Sequence, residues 1–329
     1  MTDFTFRDVP ARRLPIPATV SPEIRKLIAQ PLNPGWNTPP TTPEGWKNLA
    51  ATQAAVTAGT LPDLCRRLGV TFAPGQTGGT RTFTVTPNQI PPENAGRLLV
   101  HIHGGCYALN PGQAGLPEAL MMAGFGKFRV ISIDYRMPPE AYFPAALDDI
   151  MAVWKTLLET NRPGQMAVFG SSAGGALTLA MVLRARQEGL PLPAAIAPGT
   201  PMADVTGAGD SFLTNALVDN VLVAPDGFCA AATRFYANGH DLDDPMLSPL
   251  LGDMTGFPPA ILTTGTRDLL LSNTVRTHRK LRQAGVDAAL HVYEGQAHAQ
   301  FYRDDTAPET REAFMEISAF FDRYLTREA

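Results

Sequence analysis

The sequence has few cysteines, no long apolar run and little excess of charge of either sign. Its three cysteines, Cys65, Cys106 and Cys229, are odd in number and fit no zinc-binding spacing, which argues against a disulfide framework and favours a reducing compartment. The 27 basic and 31 acidic residues leave a formal charge of −4, which indicates neither nucleic acid nor an anionic membrane surface as a partner. No apolar stretch approaches membrane-spanning length, so we expect no membrane insertion.

Residues 1–30 mix charged residues and proline and lack the apolar core of a secretory signal. We therefore expect a cytoplasmic protein. A chain of 329 residues can bury a large core, and it contains no internal repeat.

Short apolar stretches alternate with helical patterns from about residue 81 onward. This alternation is typical of a mostly parallel sheet covered by helices on both faces, so we predict a doubly wound α/β fold. The predicted strands are 81–86, 98–102, 129–133, 166–169, 194–197, 260–264 and 289–292, and the predicted helices are 145–160, 173–188, 274–284 and 309–325.

Two segments do not follow the alternation. Residues 1–60 show irregular and helical patterns before the first predicted strand, and residues 202–245 show helical patterns without a strand. Insertions at the carboxyl ends of parallel strands usually cover a binding site, so we expect both segments to form a cap over a core made of 61–201 and 246–329. The alternative is an insertion that only decorates the surface.

Residues 170–174 read Gly-Ser-Ser-Ala-Gly and lie between a predicted strand and a predicted helix. A serine hydroxyl becomes a useful nucleophile when a strained turn holds it beside a base, which favours Ser172 at the apex as a nucleophile. Gly170 and Gly174 fit because neighbouring backbone comes too close there for a β-carbon. The alternative, a glycine-rich turn that cradles a phosphate, is disfavoured because a close pyrophosphate approach would favour glycine in place of Ser172.

A serine nucleophile needs a histidine as its base, and six histidines compete for this role. His298 is the candidate because it alone lies on a loop after the last predicted strand, at the edge of the sheet where a site forms. On its own, a loop histidine is more often a polar surface residue. The others, which lie in predicted strands, at a strand end, in a predicted helix or in the cap, are His101, His103, His240, His278 and His291.

An acid must orient the histidine, and Asp268 is the best candidate. It lies just past the end of the predicted strand 260–264, although an N-cap for the following helix would also explain it. The aspartates of the cap segment are poorer candidates, and so is Glu294, which ends a strand. The resulting chain order of Ser172, Asp268 and His298 is the order of the α/β-hydrolase triad.

A glycine pair follows the predicted strand 98–102, in the stretch His103-Gly104-Gly105-Cys106. Acyl transfer develops negative charge on a carbonyl oxygen, which backbone N–H groups stabilise. We therefore expect an oxyanion hole from the N–H groups of Gly104, Gly105, Cys106 and Ala173, although a glycine pair by itself is more often a plain turn.

Together these stretches resemble the hormone-sensitive-lipase-like esterases, the bacterial family IV carboxylesterases. The resemblance also includes 134–140, which reads Asp-Tyr-Arg-Met-Pro-Pro-Glu, and 143–146, which reads Phe-Pro-Ala-Ala. It implies an α/β-hydrolase fold with a mostly parallel eight-stranded sheet, helices on both faces and a helical cap. The chain departs from the family where Cys106 replaces a usual third glycine, and where Ser171 replaces a usual aspartate or threonine.

The resemblance implies a serine carboxylesterase without cofactor or metal, acting on short- to medium-chain esters through an acyl-enzyme. A lactonase or an amidase would use the same triad, and a small-ligand receptor could keep the pocket without catalysis. A homodimer is compatible with the sequence.

Overall fold

The computed structural model describes residues 9–11 and 13–326, so part of the predicted cap segment 1–60 lies outside the described residues. Within this part the helices are α1 (Pro22–Ile28), α2 (Pro43–Leu68), α3 (Pro117–Gly126), α4 (Ala145–Thr160), α5 (Ala173–Gln187), α6 (Ser211–Thr214), α7 (Phe228–Ala237), α8 (Leu271–Gln283) and α9 (Pro308–Tyr324). The strands are β1 (Val70–Thr77), β2 (Thr80–Pro87), β3 (Leu98–Ile102), β4 (Arg129–Ile133), β5 (Met166–Ser171), β6 (Ala195–Gly199), β7 (Ala260–Gly265) and β8 (Ala288–Tyr293).

The described strands form one eight-stranded sheet in the order β1-β2-β4-β3-β5-β6-β7-β8. The strands from β4 to β8 pair in parallel, while β2 pairs antiparallel with both β1 and β4. The predicted α/β-hydrolase fold with a mostly parallel sheet is confirmed. The sequence patterns did not predict β1, because this exposed edge strand contains Pro74 and Gly75 and has little apolar alternation.

Successive residues of a central strand enter two separate cores. On β3, Leu98, Val100 and Ile102 pack with α4 and α5, whereas Leu99 packs on the other face with α3 and α9. Side chains alternate across a strand, so a continuous apolar run serves both faces at once. This explains why β3 is apolar without alternation and why helices cover both sides of the sheet.

Helix α2 crosses the predicted boundary between residues 60 and 61. It begins after Thr42, whose hydroxyl accepts a hydrogen bond from the N–H of Gly45, and it ends before Gly69, which has a left-handed backbone. These are strong start and stop signals, so the helix continues to Leu68. No helix among the described residues, including the 26-residue α2, is both long and apolar enough to cross a membrane.

The amino-terminal segment packs on the 202–245 segment. Trp46 of α2 lies 5.0 Å from Phe228 and 5.4 Å from Phe235 between ring centroids. The N–H of Phe228 also donates to the carbonyl of Trp36 at 2.7 Å. The two segments that interrupt the strand–helix alternation are therefore in direct contact.

Candidate active site

The turn at Ser172 joins the buried strand β5 directly to α5. Ser172 has φ 61° and ψ −123°, in the positive-φ region that residues other than glycine rarely adopt. A β-carbon at Gly170 or Gly174 would collide with the carbonyl oxygen of Ile102, so both positions require glycine. This is the strand–turn–helix geometry that the motif predicts, and it sets the serine at the carboxyl end of the sheet.

Asp268 and His298 come from different loops and are in direct contact. Asp268 follows β7 and His298 follows β8, which are parallel neighbours, so both loops leave the same edge of the sheet. Nδ1 of His298 lies 3.1 Å from Oδ1 of Asp268, and the side chains are 3% and 0% exposed. Since an ionised carboxylate only accepts hydrogen bonds, we assign the proton to Nδ1, which leaves the lone pair of Nε2 free.

Hydrogen bonds surround the Asp268 carboxylate. Oδ2 accepts from the hydroxyls of Thr200 and Thr264, and Oδ1 also accepts from the N–H of Leu270 at 2.8 Å. Burial opposes ionisation, but the attraction of His298 and these hydrogen bonds outweigh it and lower the pKa of Asp268 below its usual value. Asp268 is therefore ionised at neutral pH.

Ser172 and His298 are both nearly buried, yet the described part of the chain contains no hydrogen bond from the Ser172 hydroxyl. The backbone of Ser172 is nevertheless well held. Its N–H donates to Gly199, beside Thr200, and its carbonyl accepts from the N–H of Met202. Nucleophile-to-base hydrogen bonds are often long before substrate binds, so this geometry is compatible with a triad.

The predicted oxyanion loop lies against the elbow. A β-carbon at Gly104 would come 2.7 Å from the carbonyl oxygen of Ser171. Gly105, Cys106 and the following Tyr107 all have positive φ, at 124°, 50° and 64°. Within residues 9–11 and 13–326 the N–H groups of Gly105, Cys106 and Ala173 donate to no protein acceptor. Unpaired N–H groups beside a serine are what an oxyanion hole requires.

His103 stabilises this loop through its contacts with Tyr135. It stacks on Tyr135 with centroids 4.2 Å apart, and the hydroxyl of Tyr135 donates to the His103 carbonyl. Burial lowers the pKa of His103 to about 4, so the ring is neutral at physiological pH. A neutral, stacked ring has a structural role here, because it holds the backbone of the oxyanion loop in place.

Comparison with known proteins agrees with this geometry. Residues 99–302 match the family model described as alpha/beta hydrolase fold. An acetyl-hydrolase of Streptomyces hygroscopicus is 32% identical over 239 residues, which are 72% of this chain and 79% of that protein. The chain belongs to the hormone-sensitive-lipase-like esterases of the α/β hydrolase fold. An ethyl acetate hydrolase of Pseudomonas putida is 29% identical and aligns over 72% of this esterase and 76% of that enzyme.

Solved structures extend the likeness to the whole esterase. The crystal structure of an esterase called E25 superposes with a TM-score of 0.94 at 43% identity, over 98% of this chain and 99% of that one. An esterase from the bacterial hormone-sensitive lipase family superposes with a TM-score of 0.80 at 27% identity, over 93% and 99% of the chains. The catalysed reaction is carboxylic ester hydrolysis.

The expectation of no disulfide is wrong, because Cys106 and Cys229 form one. They lie 123 residues apart in sequence, and only folding places α7 of the 202–245 segment over the oxyanion loop. Tyr107 adds a second contact between them, since it stacks on Tyr236 of α7 with centroids 4.5 Å apart. Cys65 is free. The argument from cysteine count for a reducing compartment therefore fails.

Ser171, one of the two departures from the family pattern, has a partner below the elbow. Its hydroxyl donates to Oε1 of Glu118 on α3 at 2.6 Å. The other carboxylate oxygen of Glu118 lies 3.3 Å from Nε2 of His101, whose Nδ1 lies 2.9 Å from the hydroxyl of Ser132. All four side chains are buried, so a polar network supports the nucleophile turn from the core. No sequence motif indicated Glu118, which lies 53 residues before Ser171.

A small, mainly apolar cavity of about 60 Å³ borders the elements that carry the predicted site. Its lining includes Met202, next to the elbow, Cys229, bonded to the oxyanion loop, and Leu269, which follows Asp268. Ligand pockets commonly measure 300–1,000 Å³, so this cavity admits only a small group. Further lining residues are Phe212, Leu222 and Leu270.

Proposed function

We propose that the esterase hydrolyses short-chain carboxylic esters, with Ser172 as nucleophile, His298 as general base and acid, and Asp268 as the acid that orients the histidine. The observation that carries this proposal is the buried hydrogen bond between Asp268 and His298 at 3.1 Å, at the same edge of the sheet as a serine on a strained elbow. The hydrogen bond leaves Nε2 of His298 as the atom that can take a proton.

In the first half-reaction, the oxygen of Ser172 attacks the ester carbonyl carbon while Nε2 of His298 takes the hydroxyl proton. The carbonyl oxygen becomes negative and accepts hydrogen bonds from the N–H groups of Gly105, Cys106 and Ala173, with Gly104 alongside. The bond to the alcohol oxygen then breaks, and the leaving alcohol takes the proton from Nε2. An acyl group remains on Ser172.

In the second half-reaction, water attacks the acyl carbon and gives its proton to Nε2. The bond to the Ser172 oxygen breaks, the serine regains the proton, and the carboxylic acid leaves. Asp268 stays ionised throughout, because its charge stabilises the imidazolium that forms in both steps. The low pKa of Asp268 supports this role.

The preference for short acyl chains is supported by the names of two relatives. Two relatives are named acetyl-hydrolase and ethyl acetate hydrolase, and both names refer to two-carbon acyl groups. Trp46 of the amino-terminal segment packs on Phe228 and Phe235 of the 202–245 segment, which supports a joint cover that restricts access. We propose these segments as the cap and the remainder as the catalytic core.

A p-nitrophenyl ester series from acetate to hexadecanoate, with wild type and Ser172→Ala side by side, tests the proposal. We expect the highest kcat/KM for chains of two to four carbons, and a loss of at least about 10³-fold in Ser172→Ala. A fluorophosphonate probe should label only the wild type. A Ser172→Ala variant as active as wild type would overturn the proposal.

The same experiment separates the alternatives. Faster turnover of lactones or amides than of linear esters would point to a lactonase or amidase. A native protein that binds esters but neither turns them over nor reacts with the probe would be a receptor.

A cytoplasmic location and a homodimer are further proposals. The Cys106–Cys229 disulfide weighs against the first, since disulfides are rare in reducing compartments. Cell fractionation with thiol alkylation tests the location, and light scattering tests the dimer.

A further inference from the structure

Asp219 is a buried carboxylate in the turn between α6 and α7, and its side chain is 0% exposed. Its Oδ1 accepts hydrogen bonds from the N–H groups of Val221 at 2.8 Å and Leu222 at 3.1 Å. Within the part of the chain that the structure describes, all its donors are backbone N–H groups and none is a charged side chain. Burial of a charge without a cationic partner raises the free energy of the folded state, which indicates a specific role for Asp219.

The other oxygen of Asp219 joins the two loops of the acid–base pair. Oδ2 accepts from the N–H of Leu269 at 2.8 Å and from the N–H of His298 at 3.3 Å. Leu269 is the residue directly after Asp268. One carboxylate oxygen thus bonds both backbone segments that carry the proposed acid and base.

Neighbours of Asp219 contact the same two loops. The amide of Asn215 donates to the carbonyl of Asp268 at 2.8 Å. Gln300, two residues after His298, donates to the side chain of Asn220 at 3.0 Å. The stretch 215–220 of the insertion therefore contacts the acid loop and the base loop on both sides of Asp219.

We propose that Asp219 is a positioning residue for catalysis: its carboxylate holds the backbone at Leu269 and His298, and so keeps Asp268 and His298 at hydrogen-bonding distance. The 202–245 insertion is then part of the machinery that aligns the triad, as well as a cover for the site. This inference rests on the proposed roles of Asp268 and His298.

The charge of Asp219 is linked to the catalytic pair. The ionisable groups that act on it are Asp268 and His298. Burial and the repulsion of Asp268 raise the pKa of Asp219, while His298 and the N–H donors oppose this rise. A negative Asp219 stabilises the imidazolium form of His298, so its removal should favour the neutral imidazole.

Asp219→Asn is the decisive variant, because it keeps the shape of the side chain but removes the charge and turns one acceptor into a donor. We expect kcat to fall roughly 10- to 100-fold with KM changed by less than about twofold, as misplacement of catalytic groups does. The acid limb of the kcat profile should move to lower pH. Rates are normalised to sites labelled by a fluorophosphonate probe, which counts only folded, reactive protein.

Asp149→Asn is the matched control. Asp149 of α4 is also a buried aspartate, 7% exposed, but its carboxylate accepts hydrogen bonds from Arg136 and from no residue of the triad. This variant should lower the thermal midpoint and leave kcat per labelled site and the acid limb unchanged. An Asp219→Asn enzyme that behaves like Asp149→Asn would overturn the inference.

Asn215→Ala decides the question if Asp219→Asn does not fold, since it removes the amide that donates to the carbonyls of Asp268 and Thr266 in the acid loop. A drop in kcat of roughly 3- to 10-fold at constant KM supports the inference, and wild-type kcat overturns it. Failure of the proposed function is distinguishable, because activity would then survive Ser172→Ala. That outcome overturns the role of Asp219 as well.

Discussion

The nucleophile half and the acid–base half of the site are held together in different ways. The elbow at Ser172 and the oxyanion loop are defined by backbone, since Gly170, Gly174 and Gly104 press against carbonyl oxygens of neighbouring segments. The acid–base pair of Asp268 and His298 is held in place by hydrogen bonds between buried side chains on different loops. The first half is thus sensitive to volume, and the second to charge and to the loss of single hydrogen bonds.

The strongest way to test the sensitivity to volume is Gly174→Ala. The added β-carbon would meet the carbonyl of Ile102, so we expect the unfolding free energy to fall by about 3 kcal/mol or more, with loss of activity. Gly59→Ala is the control, because Gly59 lies on the exposed face of α2 and an added β-carbon would have nothing within 4 Å. It should stabilise the protein by about 1 kcal/mol. Urea unfolding measures the free energy of both variants. Equal effects of the two substitutions would contradict the sensitivity of the elbow to added volume.

The disulfide joins the nucleophile half to the insertion, and its loss should be the next largest effect. Because Cys106 and Cys229 lie 123 residues apart, Cys229→Ser should reduce the unfolding free energy by about 2–5 kcal/mol. Dithiothreitol should lower the wild type to the level of the variant. Cys65→Ser, which changes the free cysteine, should unfold like wild type with and without reductant. A wild type whose unfolding free energy is the same with and without reductant would contradict a stabilising Cys106–Cys229 disulfide.

A pH titration of stability examines the support behind the oxyanion loop. The unfolded chain protonates His103 at its ordinary pKa of 6.5, whereas burial holds the folded pKa at about 4. The contribution of the neutral His103 ring to the unfolding free energy is therefore fully present above pH 6.5. As the pH falls from 6.5 to 4, protonation of the unfolded chain reduces the unfolding free energy by about 3 kcal/mol. The difference in unfolding free energy between wild type and His103→Asn should change over this window. A constant difference would argue against a neutral, buried ring.

Thr200→Val tests a single hydrogen bond in the acid–base half. It removes the hydroxyl that donates to Asp268, so we expect a loss of about 1.5–3 kcal/mol in stability and a several-fold lower kcat. With one donor fewer, the pKa of Asp268 should rise towards its usual value. Thr178→Val is the control, since Thr178 is equally buried but donates to a backbone carbonyl within α5. It should change stability with kcat unchanged.

The contrast between the halves also explains what the sequence could and could not predict. The elbow is a local pattern, and β3, β4 and α4 have the predicted bounds because apolar spacing alone defines them. The pairing of Asp268 with His298 follows from their places after neighbouring strands.

The features that were missed depend on contacts between residues far apart in the chain. Thr200 contacts Asp268 across 68 residues and Asp219 reaches His298 across 79. The cysteines appeared unpaired because their spacing carries no information about the position of α7. Thr and Asp have no pattern of their own that marks a buried partner, so only the folded chain reveals their roles.

The Cys106–Cys229 disulfide determines what happens when a protease cuts the chain. Residues 107–228, which include the nucleophile strand and the exposed stretch 206–208, lie between the two bonded cysteines. A protease that cuts this stretch would leave two fragments still joined through sulfur. Such a nicked molecule would migrate as one piece without reductant and as two pieces with it, and its sheet would remain assembled around the cut.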